Sequence, residues 1–205
     1  MIFCRFFLPG VLAAFIVFQV LPSHAMVFRS MGDVVDGLIF SIIALSLGLG
    51  IHRITFLFMK NSWYKKLIFP TIAKLVVTED EDITMFFDKA NKAYNPEKLN
   101  AGGLFDEAYY FLEYNDKIAS AKAFQAIYFF LRNTFTLGLL LLPLMPILAF
   151  FEVFFDNWPH CLYYTLATFA LLFILSRLAV FYRLKMVERI FNTFYIAMKH
   201  QEKAK

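Results

Sequence analysis

The chain has 205 residues, 60% of them hydrophobic, 27 of them Phe, and a formal net charge of +4. A soluble domain is nearer half apolar, and the excess here is gathered into long runs, which excludes an ordinary soluble enzyme. The positive balance is spread unevenly and reads as a membrane-topology signal, not as affinity for nucleic acid.

Four apolar runs, roughly 3–22, 37–58, 134–155 and 160–182, each supply the approximately 20 residues needed to cross a bilayer core. They stand two and two around a charged stretch, 60–122. The expected fold is an all-α membrane protein with four transmembrane helices, a cytosolic helical insert between spans two and three, and a cytosolic C-terminal helix. The domains are then 1–59 (spans one and two), 60–122 (insert), 123–182 (spans three and four) and 183–205 (amphipathic tail).

In span one, Pro9-Gly10 predicts an irregular or kinked start. The segment Met1 to Ala25 also ends in Ser23-His24-Ala25, a small-x-small pattern like a signal-peptidase site, but its apolar stretch is longer than a signal core, so an uncleaved span is expected. Span two carries Gly37, Ser41, Ala44 and Gly48 at steps of four and three. These place small residues on one helical face for close packing, within the bundle or between copies. Trp63 to Val77 mixes Trp, Tyr and Lys with apolar residues around Pro70 and reads as an interfacial segment. Acids at 79–82 precede Ile83, Phe86, Phe87 and Ala90, which predicts a helix over about 81–94. Asn95-Pro96 and Asn100-Ala101-Gly102-Gly103 are turn signals. From Leu104 an apolar pattern runs into span three, predicting one long helix from about 104 to at least Pro143. Pro143 and Pro146 inside that span mark a kink or a hinge. In the tail, Val187, Ile190, Phe194 and Met198 recur at helical spacing, the pattern of an amphipathic helix that packs on the insert or on a partner.

Charge placement orients this framework. The insert holds nine Lys against ten Asp/Glu and no Arg, whereas the link between runs three and four carries Glu152 and Asp156 and no Lys or Arg. Lys and Arg flanking span ends mark the cytoplasmic side, so Lys60, Lys65, Lys66, the tail and, through Arg5, the N-terminus are expected inside. Cys4 and Cys161 then lie on opposite faces and cannot pair.

Ionisable groups at membrane depth are the default place to look for function. They are His52, Arg53, Arg132 and Arg177, all near the cytoplasmic boundary. Arginines there are expected to snorkel to the headgroups; a shared polar ring under the bundle is the alternative. No span shows a repeated polar face of the kind that lines a pore. No nucleophile elbow, zinc-protease, Walker A or dinucleotide motif occurs, and the acids at 79–82 read as helix capping. We therefore expect no catalytic residues, no cofactor, no metal and no direct nucleic-acid binding. Tyr109-Tyr110-Phe111-Leu112-Glu113-Tyr114 places aromatics on more than one face of a helix. Tyr109, Tyr110, Phe111 and Tyr114, with Phe194 of the tail, are the candidate partner-binding residues.

Four spans in about 200 residues, with a cytosolic helical insert and little else outside the bundle, resembles the membrane subunit (KwaA) of the Kiwa bacterial anti-phage system. The resemblance covers architecture only. It implies an oligomeric sensor in the bacterial inner membrane, both termini cytoplasmic, that holds a soluble effector at the inner face. The expected function is a non-enzymatic, homo-oligomeric membrane scaffold or sensor that recruits a cytosolic effector protein in antiviral defence. The alternative is an oligomeric channel that depolarises the membrane.

Overall fold

A computed structural model describes residues 6–20, 33–77, 81–94, 99–150 and 158–203. Every regular element among them is helical: α1 Leu8–Val20, α2 Asp33–Phe58, α3 Ser62–Ile68, α4 Ile72–Val77, α5 Glu81–Tyr94, α6 Ala101–Tyr114, α7 Ala119–Phe150 and α8 Trp158–Lys203. The all-α class follows from the sequence, in which apolar runs long enough to span alternate with amphipathic segments of helical period.

Three helices have the length and composition to cross a bilayer, over Gly37–Phe58, Ala119–Ile147 and Pro159–Gln201. Their outer faces carry Leu38, Ile42, Leu49, Leu144, Leu166, Phe169, Phe173 and Ile174, all exposed. In water each exposed Å² of such a coat would cost about 25 cal/mol, and monomeric soluble proteins rarely carry patches of that extent; lipid removes the cost. The chain is a multi-pass membrane protein. The first expected span is represented by α1, whose 13 residues extend about 20 Å. The rest of that run, the Ser23-His24-Ala25 signal, Cys4, and the acids Glu152 and Asp156 lie outside the described residues.

α1 crosses α2 at backbone contact. A Cβ built on Gly10 would lie 1.6 Å from the Ala44 carbonyl oxygen, and one on Gly48 would lie 1.8 Å from that of Phe6. Ala44 is fully buried between the two helices. Half of the small-residue face thus closes the bundle: Ala44 and Gly48 meet α1, while Gly37 has open space around it and Ser41 donates back to the Gly37 carbonyl of its own helix. Gly10 lies inside α1 and is the seam's other half, and the entry to the helix at 6–7 is a wider π turn, the irregular start that the sequence pointed to.

α7 and α8 pack side by side through the bilayer, with Gly138 of α7 against Leu172 of α8. α7 continues without interruption through Pro143 and Pro146, both on its outward face. α8, at 46 residues, is about 70 Å long, far more than a bilayer requires, and its C-terminal half leaves the bundle. There Val187, Ile190, Phe191 and Phe194 join Ile83, Ala90, Leu104, Ala108 and Leu112 in one core. Of the two surfaces that the tail's period-3.6 pattern left open, the insert is the one that covers it, and exposed Arg189 and Lys199 take the other side.

Two boundaries differ from the sequence reading. α6 begins at Ala101, because the Asn100 side chain accepts from Gly103 N at 2.9 Å and caps the first turn. The expected continuous helix from 104 stops at Tyr114. Asp116 takes φ 54°, Lys117 N donates to Leu112 O, and Asp116 N donates to Glu113 O, the paired closing bonds of a Schellman stop. Asn115 Nδ2 adds a bond to Phe111 O at 2.8 Å.

Candidate functional site

The end of α2 nearest the insert meets α3 and α7 in a buried polar cluster. His52 and Thr55 project from α2, Arg132, Asn133 and Thr136 from α7, and Tyr64 from α3; all are buried. The spacing accounts for the convergence. Positions 52 and 55 are three apart and 132 and 136 four apart, so each pair shares one face of its helix, and Asn133 stands at the edge of the second.

Arg132 sits at the centre, only 2% exposed. Its Nη2 lies 3.2 Å from His52 Nδ1, and its Nη1 reaches Met59 Sδ at 3.5 Å. A guanidinium only donates, so His52 Nδ1 is the acceptor and the ring proton rests on Nε2. Asn133 stands 3.4 Å from the same nitrogen through both amide atoms, and of the two only Nδ2 can share the single lone pair of an accepting Nδ1. The rings of Phe129, Phe56 and Tyr128 surround the guanidinium, with centroids at 4.7, 5.5 and 5.8 Å. Arg132 Nε is buried with no hydrogen-bond partner. The lower half of the cluster is a hydroxyl chain. Thr136 donates to Arg132 O at 3.0 Å and accepts from Thr55 at 2.9 Å and Tyr64 at 2.7 Å. Burial pushes the Tyr64 phenol up to about 12, opposed by its bond to Thr136 and the charge of Arg132, so Tyr64 stays a donor at any physiological pH.

The expectation that the boundary arginines snorkel therefore separates into two outcomes. Arg53 and Arg177 are exposed, and Arg177 lies over the Phe173 ring at 5.2 Å. Arg132 is instead drawn into the protein with His52. The one-turn polar faces of α2 and α7 are each too short to form a stripe along their own span; together they make a site.

A second buried arginine, unmarked in the sequence reading, stands where α8 leaves the bundle. Arg183 is 6% exposed. Its Nε donates to Pro70 O at 3.1 Å and its guanidinium lies 3.5 Å from the Phe69 ring centroid. Phe69–Thr71 is the non-helical link that Pro70 makes between α3 and α4, so the carbonyl that Arg183 holds is one the break leaves outside any helix.

The aromatic candidates also divide. Phe194 is 2% exposed and packs against Phe111 and Tyr94 with centroids at 5.4 and 6.1 Å, so it belongs to the core and not to a docking face. Phe111 and Tyr109 are partly buried against the same core. Tyr110 at 68% and Tyr114 at 90% remain exposed, on the side of α6 away from α8. Among the described residues no group of three or more His, Cys, Asp or Glu side chains is placed to hold a metal ion. No family model, curated protein or solved structure matches the chain.

Proposed function

We propose that this protein is a non-enzymatic membrane scaffold that recruits a soluble effector to the cytosolic face, acting as a homo-oligomer in the manner of the Kiwa membrane subunit that its layout resembles. The reading takes the four-span topology, with both termini, the insert and the tail inside, from the positive flanks at Lys60, Lys65, Lys66, Arg183, Lys185 and Arg189. The observation that carries it is the pairing of a well-packed insert–tail domain with two uncommitted tyrosines. α4, α5 and α6 share one core with the C-terminal half of α8, and Tyr110 and Tyr114 project from that core into solvent. Tyrosines on a rigid helix are effective anchors because little side-chain freedom is lost on binding.

The test is co-purification of the soluble product of the neighbouring gene with the full chain, comparing wild type with a Tyr110→Ser/Tyr114→Ser double variant. Loss of the partner with an unchanged melting temperature supports docking on α6; recovery equal to wild type refutes it. Ion flux through reconstituted liposomes tests the channel reading. The buried cluster weighs against that reading, because its hydrogen bonds run among its own side chains under a cover of aromatic rings, with only Arg132 Nε of the six left over.

A further inference from the structure

The junction between insert and bundle contains a cavity of about 670 Å³, within the range of small-molecule sites. Its walls are largely apolar, with Phe69, Ile72, Phe105, Phe129 and Met186 among the lining residues, and the charged side chains among the described lining residues are Arg183 and Asp106. Arg183 lies on the floor and is buried; Asp106, with Asn100, Thr71 and Ala73, is exposed at the rim. The cavity lies where the apolar part of α8 ends and beside the link that follows α3, whose Trp63, Lys65 and Lys66 are exposed, the side chains of a headgroup boundary. With the helices placed in a bilayer, these side chains put the opening at the headgroup layer.

The Arg183 guanidinium has one nitrogen committed to Pro70, faces the Tyr128 side chain, and among the described residues has no carboxylate partner, the ion pairs there being Lys122–Glu113 and Lys185–Glu188. A second guanidinium, that of Arg132, stands behind the same wall. The Tyr128 ring, which lines the cavity, has Arg183 at 5.6 Å and Arg132 at 5.8 Å from its centroid. Two cations share one aromatic ring with no carboxylate among the described residues paired to either, and the open side of the arrangement is the cavity. Guanidinium is the side chain best shaped for a phosphoryl group, through paired N–H donors. We infer that this cavity binds the phosphodiester headgroup of a membrane phospholipid, with the phosphate on Arg183, the upper acyl chain against Phe69, Phe105 and Phe129, and an ethanolamine ammonium on Asp106. One cation on the floor and one carboxylate at the rim complement a zwitterionic headgroup better than a purely anionic one. The inference does not depend on the recruiter reading; it needs only the membrane placement of the helices.

The test is native mass spectrometry of the full chain released from nanodiscs that contain equal phosphatidylethanolamine and phosphatidylglycerol. Wild type is expected to retain one phosphatidylethanolamine in preference to phosphatidylglycerol. Arg183→Gln should lower retention of both about tenfold, the loss of a charge-assisted bond. Asp106→Asn changes an exposed side chain, leaves the melting temperature unchanged, and should equalise the two lipids without lowering total retention. Arg183→Gln retaining lipid as wild type does, or Asp106→Asn keeping the preference, overturns the inference. So does displacement of the lipid by millimolar inorganic phosphate, which would mark a site for a soluble anion.

Discussion

The crossing of α1 and α2 gives the sharpest quantitative test, because the perturbation is a single methyl group and the structure carries its own controls. A Cβ at Gly10 would meet Ala44 O at 1.6 Å, and one at Gly48 would meet Phe6 O at 1.8 Å, whereas ordinary contact begins at 3.4 Å. Both obstacles are backbone carbonyls in helices, which cannot rotate away. For Gly10→Ala the helices must part by about 1.8 Å, and a gap of that size forfeits most of the dispersion attraction along the seam. Overpacking of a tight interface costs about 1–3 kcal/mol, which for a chain of this length lowers Tm by about 2–4 °C per kcal/mol. At Gly37 and Gly50 nothing lies within 4 Å of where an added methyl would sit, and alanine at either should be neutral or slightly stabilising, since it favours helix by about 1 kcal/mol over glycine. Thermal melts of the four alanine variants in one detergent read the difference directly. Equal melting temperatures for Gly10→Ala, Gly48→Ala and Gly37→Ala would refute the close crossing.

Further outcomes follow from buried polar groups and from one turn. Arg132→Met keeps the volume and removes a buried charge; the lost ring and hydrogen-bond contacts and the relieved desolvation are each several kcal/mol and nearly cancel, so Tm should stay within about 4 °C of wild type, and a fall of more than about 10 °C would show that the charge itself holds the bundle. Arg132→Ala, which leaves a cavity, should cost about 3–5 kcal/mol in the same melts. Tyr64, with its folded value raised from 10.0 to about 12, favours its neutral form on folding; that contribution is intact below pH 10 and is lost as pH rises through 12. An ultraviolet difference titration of wild type against Tyr64→Phe should show that midpoint, and a midpoint near 10 would place Tyr64 in water. Asp116→Gly relieves a left-handed residue at φ 54° and should raise stability by about 0.5–1 kcal/mol, again read by melting; a loss of stability would mean that the Asp116 side chain itself supports the turn.

How far these features were legible depends on whether their cause is local. α5 covers the expected segment, Glu81–Tyr94, because acids ahead of an apolar face at Ile83, Phe86, Phe87 and Ala90 are properties of one segment. The tail's apolar face at Val187, Ile190 and Phe194 is legible for the same reason, but the pattern leaves open whether the insert or a partner covers it, and Phe194, expected at a partner surface, is covered by the insert. The Schellman stop at 115–117 carried a signal that the apolar pattern masked: Asn115-Asp116 are the residue types that tolerate a left-handed turn. Gly10 and Arg132 were not legible, because their environments come from other helices. A glycine after a proline reads locally as a break, and only Ala44 and Gly48 of α2 make it a contact. An arginine at a span end reads as a snorkelling charge, and only His52, Phe56 and Phe129 turn it inward.

The two buried arginines bear on one another through Tyr128. Arg132 belongs to the cluster between α2, α3 and α7, and Arg183 to the junction of α8 with the Phe69–Thr71 link, yet both guanidinium centres lie 5.8 Å or less from the Tyr128 centroid. The Tyr128 hydroxyl in turn donates to Ile68 O at 3.4 Å, at the end of α3. α3 therefore touches the membrane cluster through Tyr64 and the arginine pair through Ile68 and the adjoining Phe69, and it cannot shift without disturbing both. Two like charges around one ring repel, and in a medium of low effective dielectric the repulsion is not screened as it is in water. An anionic phosphate at Arg183 would offset it on the side where the cavity opens. Filling or emptying the cavity would then change the electrostatic load on Arg132 and on the α2–α7 contact it bridges. That places the headgroup site, the bundle and the insert on one short chain of contacts: Arg183, Tyr128, Arg132, His52.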